Sequence, residues 1–148
     1  MNKAKHFIFQ THSVSQTQKL AKFLSRKIPK KNLLKGALIF GLEGELGSGK
    51  TSFVRGFLRA LGIRGKITSP TFVIIKNYGR IYHIDCYRTE KIKELLDLGL
   101  KEILANHQNI VLIEWPEKIK KILPKNSIWI KFEHSGKINE RIIKFTKH

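Results

Sequence analysis

The sequence predicts an α/β fold: a sheet with a parallel core and antiparallel strands added at the C-terminal end. Three observations carry that expectation. A glycine-rich loop, Gly44-Glu45-Leu46-Gly47-Ser48-Gly49-Lys50-Thr51, lies between a short apolar run and an amphipathic segment. A second apolar run, Ile110-Val111-Leu112-Ile113, ends in an acid, Glu114. Near its end the chain alternates, with Ile128, Ile130 and Phe132 on one side and Trp129 and Lys131 on the other. Continuous apolar runs suit parallel strands buried on both faces, whereas alternation suits an antiparallel hairpin.

In chain order, Phe7-Ile8-Phe9 reads as a short strand. Ser13-x-x-Gln16 has the form of a capping box, in which two side chains satisfy free amides at a helix start. The helix it opens carries Leu20, Phe23, Leu24 and Ile28 on one face and stops at Pro29, and Lys30 to Lys35 is a basic connection. Ala37-Leu38-Ile39-Phe40 is the strand before the glycine loop. After the loop, Phe53, Val54, Phe57, Leu58 and Leu61 fall on one helical face, Arg55 and Arg59 lie opposite, and Gly62 supplies a stop. Val73-Ile74-Ile75 reads as a strand, Asn77-Tyr78-Gly79-Arg80 as a hairpin turn, and Ile81 to Asp85 as the returning strand. Thr89 is expected to cap a helix bearing Ile92, Leu95 and Leu96. Asp97 to Leu100 interrupts it, and Lys101 to Ala105 adds another turn or two. Trp115-Pro116 starts a short helix, Glu117 to Ile122, ended by Pro124. Glu133 to Lys137 then turns the C-terminal strand into a last one from Ile142 to Phe145.

The glycine loop fits G-x-x-x-x-G-K-[ST], the phosphate-cradling P-loop, so the sheet is of the P-loop NTPase type. Gly47 and Gly49 let the backbone take positive φ angles and approach a phosphate without a Cβ in the way. Successive amides from Glu45 through Leu46, Gly47, Ser48, Gly49 and Lys50 to Thr51 can then form an anion nest. Lys50 brings a charge to the β- and γ-phosphates, and the Thr51 hydroxyl can ligate Mg²⁺. The helix that follows adds its N-terminal dipole. These features imply binding of a nucleoside triphosphate.

Other residues join this chemistry by position. An apolar strand ending in Glu114 has the form of a Walker B strand, whose carboxylate meets Mg²⁺ or orients the attacking water. Asp85 also ends an apolar strand, and the pocket of such a sheet lies at the carboxyl ends of its strands. Ser69-Pro70-Thr71 forms a kinked loop whose hydroxyls either face a γ-phosphate or act as turn formers. His83 lacks a second His or Cys at zinc-site spacing and reads as structural.

The 148 residues are expected to form one domain, 1–148, large enough to bury roughly 70% of its unfolded surface. A hydrophobic content of 41% with a mean hydropathy of -0.24 is that of a soluble globular protein. No apolar run approaches the roughly 18 residues of a membrane span. The basic start lacks the long apolar stretch of a signal peptide. A single cysteine, Cys86, excludes an internal disulfide framework and suits a reducing cytoplasm. The net charge is +18 and the pI about 10.2, which points to nucleic acid or an acidic partner. The same charge is also explained by lysines spread over solvated faces, with clusters at Lys27 to Lys31 and Lys118 to Lys121.

Four blocks now stand in order: Gly44 to Thr51, Ser69-Pro70-Thr71-Phe72, His83-x-Asp85-x-Tyr87-Arg88, and Glu114-Trp115-Pro116-Glu117. Together with Glu94 to Gly99 they resemble the bacterial TsaE (YjeE) family, the P-loop ATPases of tRNA threonylcarbamoyladenosine biosynthesis. Ser48, Ser52 and Lys118 depart from the usual family residues without removing a group the nucleotide chemistry needs. The resemblance implies a small three-layer ATPase using ATP and Mg²⁺ and acting with two partners, TsaB and TsaD. It also implies that TsaD carries the transferase chemistry at adenosine 37 of tRNA, and that ATP hydrolysis lets the complex turn over. Carried over by position, Lys50 neutralises the phosphates, Thr51 and Glu114 belong to the Mg²⁺ shell, and Thr71 senses the γ-phosphate. Asp85 either orders the metal waters or helps activate the attacking one. Trp115 packs on the nucleotide or a partner, or props the strand end, and Thr17 lines the adenine side.

Two other classes compete. A small-molecule phosphotransferase shares the size and the P-loop, but its arginine-bearing lid has no counterpart: Arg80 and Arg88 alone lie mid-chain. An RNA-binding module would explain the charge and leave the P-loop unexplained, and no RNA-fold motif is present. With no evident arginine finger in the chain, the site is expected to be slow until a partner completes it, since such a finger contributes about 10³–10⁵-fold.

Overall fold

The computed structural model describes residues 6–31, 34–67 and 74–147. In chain order its elements are β1 (His6–Thr11), α1 (Val14–Arg26), β2 (Leu38–Glu43), α2 (Lys50–Ala60), β3 (Ile75–Tyr78), β4 (Ile81–Asp85), α3 (Ile92–Asp97), α4 (Leu100–Ala105), β5 (Ile110–Glu114), a 3₁₀ helix (Pro116–Ile122), β6 (Ile128–His134) and β7 (Arg141–Lys147). The seven strands form one sheet in the order β1-β7-β6-β2-β5-β4-β3.

The apolar run before the glycine loop forms the central strand. β2 pairs in parallel with β5 on one side and β6 on the other, and β4 pairs in parallel with β5. Antiparallel strands close both flanks: β7 and β1 beyond β6, and β3 beyond β4. The parallel core with an antiparallel C-terminal addition matches expectation. Antiparallel pairing also extends to β1 and β3, and β6, the first strand of the C-terminal hairpin, is itself part of the parallel core.

Residue alternation along the central strands divides the core between two helical layers. Phe40 and Leu42 of β2 and Leu112 of β5 face α1 and α2, where Phe53 and Phe57 are fully buried. Ile39, Val111 and Ile113 face the layer of α3, α4 and the 3₁₀ helix, against Leu95, Leu100 and Ile119. Each fully buried side chain of this size contributes about 1.5–3 kcal/mol. Ser13 caps α1 by accepting a hydrogen bond from the Gln16 amide at 3.1 Å. The return bond goes to the His12 amide at 2.7 Å, one residue earlier than in the standard capping box.

Several boundaries differ from the sequence reading. β1 is longer than Phe7 to Phe9, because pairing with β7 runs from His6 to Thr11. Asn77 and Tyr78 belong to β3 and leave the turn to Gly79 and Arg80. The third helix is preceded by Lys91 in place of Thr89. The last strand reaches from Arg141 to Lys147, paired along its length with β6. No described helix is long and apolar enough to cross a membrane.

Candidate functional site

The glycine loop joins the carboxyl end of β2 to the N-terminus of α2. Gly47 (φ 74°) and Gly49 (φ 103°) take the left-handed backbone that an L side chain resists, as the motif requires. A cleft of about 340 Å³ opens over the loop, lined by Leu46 to Ser52, with Val14 and Thr17 of α1. Asp85, Tyr87, Glu114 and Trp115 close one side of it, and Asn139 and Arg141 the other. All seven residues from Leu46 to Ser52 line this space. Glu45 does not: its carbonyl accepts the Ser48 amide at 3.1 Å and closes the turn.

Register brings the acids together. β4 and β5 run parallel with Asp85 opposite Glu114, so both carboxylates end their strands beside the α2 N-terminus. The Thr51 hydroxyl lies 3.5 Å from Glu114 Oε1. On the other carboxylate oxygen, His83 Nε2 donates at 2.6 Å. The His83 and Glu114 side chains are 0% and 4% exposed, so the pair is dry. An oxygen of a carboxylate accepts, which puts the histidine hydrogen on Nε2. His83 Nδ1 is buried and has no hydrogen-bond partner among the described residues. His83 thus holds the Glu114 carboxylate from within the sheet.

Lys50 is buried, and its ammonium donates to the Gly44 carbonyl while sitting 3.8 Å above the centre of the Trp115 ring. Burial lowers its pKa from the ordinary 10.5, with Glu114, Glu117 and Asp85 opposing that shift. Asp85 is raised above the ordinary 3.8, first by burial and further by Glu114, while the Tyr87 amide bonded to its Oδ1 at 2.9 Å pulls the other way. Cys86, next in the chain, is pushed up to about 12 mainly by burial and is inert as a thiolate. Trp115 holds a left-handed backbone (φ 60°, ψ 48°), uncommon for a bulky residue and costing about 1–3 kcal/mol. Its ring packs against Tyr87 at 5.0 Å and lines the cleft.

Thr17 is buried in the cleft wall and shares a 2.8 Å hydrogen bond with the Thr11 hydroxyl. Ser69 and Thr71 lie outside the described residues. Lys118 donates to the Tyr87 carbonyl at the cleft rim and Lys120 lies over Trp129, so two lysines of that cluster have local partners.

The sequence reading missed Arg141. Its Nε donates to the Ser48 carbonyl and its Nη2 to the Gly47 carbonyl, both at 3.0 Å, and its Nη1 donates to the Glu140 carbonyl at 2.8 Å. Glu140 in turn bonds His12 Nδ1 and the Ser135 hydroxyl, each at 2.9 Å. The first residue of β7 thus grips the glycine loop from a point 93 positions along the chain. No local pattern distinguishes this arginine from the other basic residues.

Thr51 and Glu114 offer hard oxygens within 3.5 Å of each other. Mg²⁺ takes one or two such protein oxygens and fills its remaining positions with phosphate and water. The donor set therefore fits that ion.

Known proteins share this sequence and this shape. The family model "Threonylcarbamoyl adenosine biosynthesis protein TsaE" matches residues 11–143. The tRNA threonylcarbamoyladenosine biosynthesis protein TsaE of Bacillus subtilis is 43% identical over 112 residues, covering 73% of this chain and 68% of the relative. Its counterpart in Borreliella burgdorferi is 41% identical over 109 residues, covering 69% of this chain and 79% of the relative. The crystal structure of Bacillus subtilis YdiB superposes with a TM-score of 0.78 at 31% identity, over 99% of this chain and 88% of that one. The matched span holds the glycine loop, both strand-end acids and Arg141. By that span and those identities, the chain belongs to the TsaE family of tRNA threonylcarbamoyladenosine biosynthesis.

Proposed function

We propose that residues 1–148 are a single ATPase domain. It binds and hydrolyses ATP within the machinery that installs N6-threonylcarbamoyladenosine at adenosine 37 of tRNA, and it acts with TsaB and TsaD to let that machinery turn over. The observation that carries this reading is the meeting of Thr51 and Glu114 at 3.5 Å, beside Asp85, in the mouth of a glycine-loop cleft. It is supported by membership of the TsaE family and by the family's role in the pathway.

In this reading the loop amides hold the triphosphate and Lys50 leaves Gly44 and Trp115 to meet the β- and γ-phosphates. Thr51 and Glu114 hold Mg²⁺, and Thr71 senses the γ-phosphate. The metal, when bound, offsets the charge of the phosphate oxygens. His83 keeps the Glu114 carboxylate turned toward Thr51. Asp85, with its raised pKa, orders or deprotonates the attacking water, a role in which a base closer to neutrality works better. Trp115 and Thr17 flank the nucleotide.

ATP hydrolysis by the purified chain, alone and then with TsaB, TsaD and tRNA, tests this. Stimulation by the partners, lost in Lys50→Ala, is expected. ADP release that follows a small acceptor and ignores the partners overturns the reading in favour of a phosphotransferase.

A further inference from the structure

Among the described residues that line the cleft, Arg141 is the cation supplied by the sheet's C-terminal hairpin, and its guanidinium faces backbone carbonyls of the loop. We propose that Arg141 is a positioning residue for the glycine loop: it pins two outward carbonyls, so that the Gly49 amide stays aimed at the phosphates and the Ser48 amide stays in the bond that closes the turn. The proposal rests on the reading of the cleft as a nucleoside triphosphate site.

The geometry is that of a fork on two successive peptide planes. Nε and Nη2 each lie 3.0 Å from one carbonyl, of Ser48 and Gly47 respectively. The described peptide bonds are all trans, so each amide N–H points away from the carbonyl of its own peptide unit. Holding the Ser48 carbonyl therefore turns the Gly49 amide to the opposite edge. Holding the Gly47 carbonyl turns the Ser48 amide inward, where it meets the Glu45 carbonyl at 3.1 Å and shapes the turn.

Arg141 is itself held. Its third donor is taken by the Glu140 carbonyl at 2.8 Å, and the Glu140 carboxylate is tied to His12 at the start of α1 and to Ser135 in the hairpin turn. The guanidinium stem also packs beside the glycine at the helix start, with Cγ 3.8 Å from the place a Gly49 Cβ would occupy. A loop with left-handed residues at Gly47 and Gly49 has many alternatives to its binding shape. Fixing it before the ligand arrives reduces the ordering cost of binding.

A lysine cannot reproduce this, because one ammonium lacks the planar pair of donors. ADP affinity by calorimetry, with steady-state ATPase kinetics, tests the proposal on Arg141→Ala and Arg141→Lys. Far-ultraviolet circular dichroism confirms folding. Loss of these charge-assisted bonds is expected to weaken ADP binding about tenfold in Arg141→Ala. Arg141→Lys should recover only a minor part of it. KM should rise more than kcat falls. Wild-type affinity in Arg141→Ala, or full recovery in Arg141→Lys, overturns the proposal: the first means the loop holds itself, the second that charge alone matters. Should the alanine variant not fold, the lysine variant carries the test by the same criterion. A wild-type chain that binds no ADP overturns the reading of the cleft instead, and the proposal with it.

Discussion

The cleft has two walls of opposite construction. One is built from the centre of the sheet, where β4 and β5 carry Asp85, Glu114 and His83, and its histidine–carboxylate hydrogen bond is sealed from water. The other is built from the ends of the chain, where Arg141, Glu140, His12 and the start of α1 meet in a run of hydrogen bonds. There the His12 side chain is 54% exposed. A hydrogen bond to a buried carboxylate is strong, and removing its donor leaves an acceptor that water does not reach. In the wet wall each bond is weak alone, and its value comes from joining segments that are distant in sequence. Under the proposed function, the buried wall supplies the groups that act on phosphate and water. The exposed wall suits groups that hold shape.

The contrast can be broken in order of expected effect. Glu114→Gln keeps the size and the hydrogen-bonding reach of the side chain but removes its charge. Hydrolysis should fall about 10²-fold or more while ADP affinity changes little. Steady-state turnover with excess Mg²⁺ checks this, and wild-type turnover would remove Glu114 from the chemistry. His83→Ala takes away the one partner that desolvation leaves to Glu114 Oε2 among the described contacts. The fold should lose about 2–3 kcal/mol, read as a drop in melting temperature, with hydrolysis reduced as well.

A smaller effect is expected where the second wall sits on the P-loop helix. A Cβ at Gly56 in α2 would lie 2.7 Å from the backbone Cα and O of Gln18 in α1. Gly56→Ala must therefore push the helices apart, at about 1–3 kcal/mol. Because α1 carries Val14 and Thr17 of the cleft, ADP affinity should fall with the melting temperature. A stability loss with unchanged affinity would separate α1 from the site.

The smallest effect belongs to Glu140. Hydrogen bonds from His12 and then Ser135 hold its carboxyl below the ordinary 4.5. A depressed folded-state pKa contributes stability that is present above the unfolded value and is lost as pH falls through the folded one. Glu140→Gln should thus be slightly less stable than wild type at neutral pH, with the two curves converging below about pH 4.5. Parallel melting curves at all pH values would show that the exposed network carries no weight.

The buried wall was largely legible in the sequence, because its signals are local. A strand, a glycine turn and an amphipathic helix are contiguous, and Glu114 follows four apolar residues that expose their own burial. What His83 does was not legible, since its contact depends on the register of β4 against β5, and register is a property of the assembled sheet. Arg141 was missed for a stronger form of the same reason. It touches the loop from 93 and 94 positions away, and in a chain of charge +18 an arginine carries no mark of its partner. The pairing of β6 with β2 was likewise hidden. Alternation in Ile128 to Phe132 signals a strand with two unlike faces and says nothing of which edge it joins.

The perch of Lys50 on Trp115 has an optical consequence. A cation 3.8 Å above an indole perturbs the energy of its excited state, and Trp115 and Trp129 are the two tryptophans of the chain. If phosphate draws the ammonium away, the emission of Trp115 changes at the moment the loop fills. With Trp129 replaced by Phe, the protein becomes its own dye, and the rate at which nucleotide enters can be timed by stopped flow without a label.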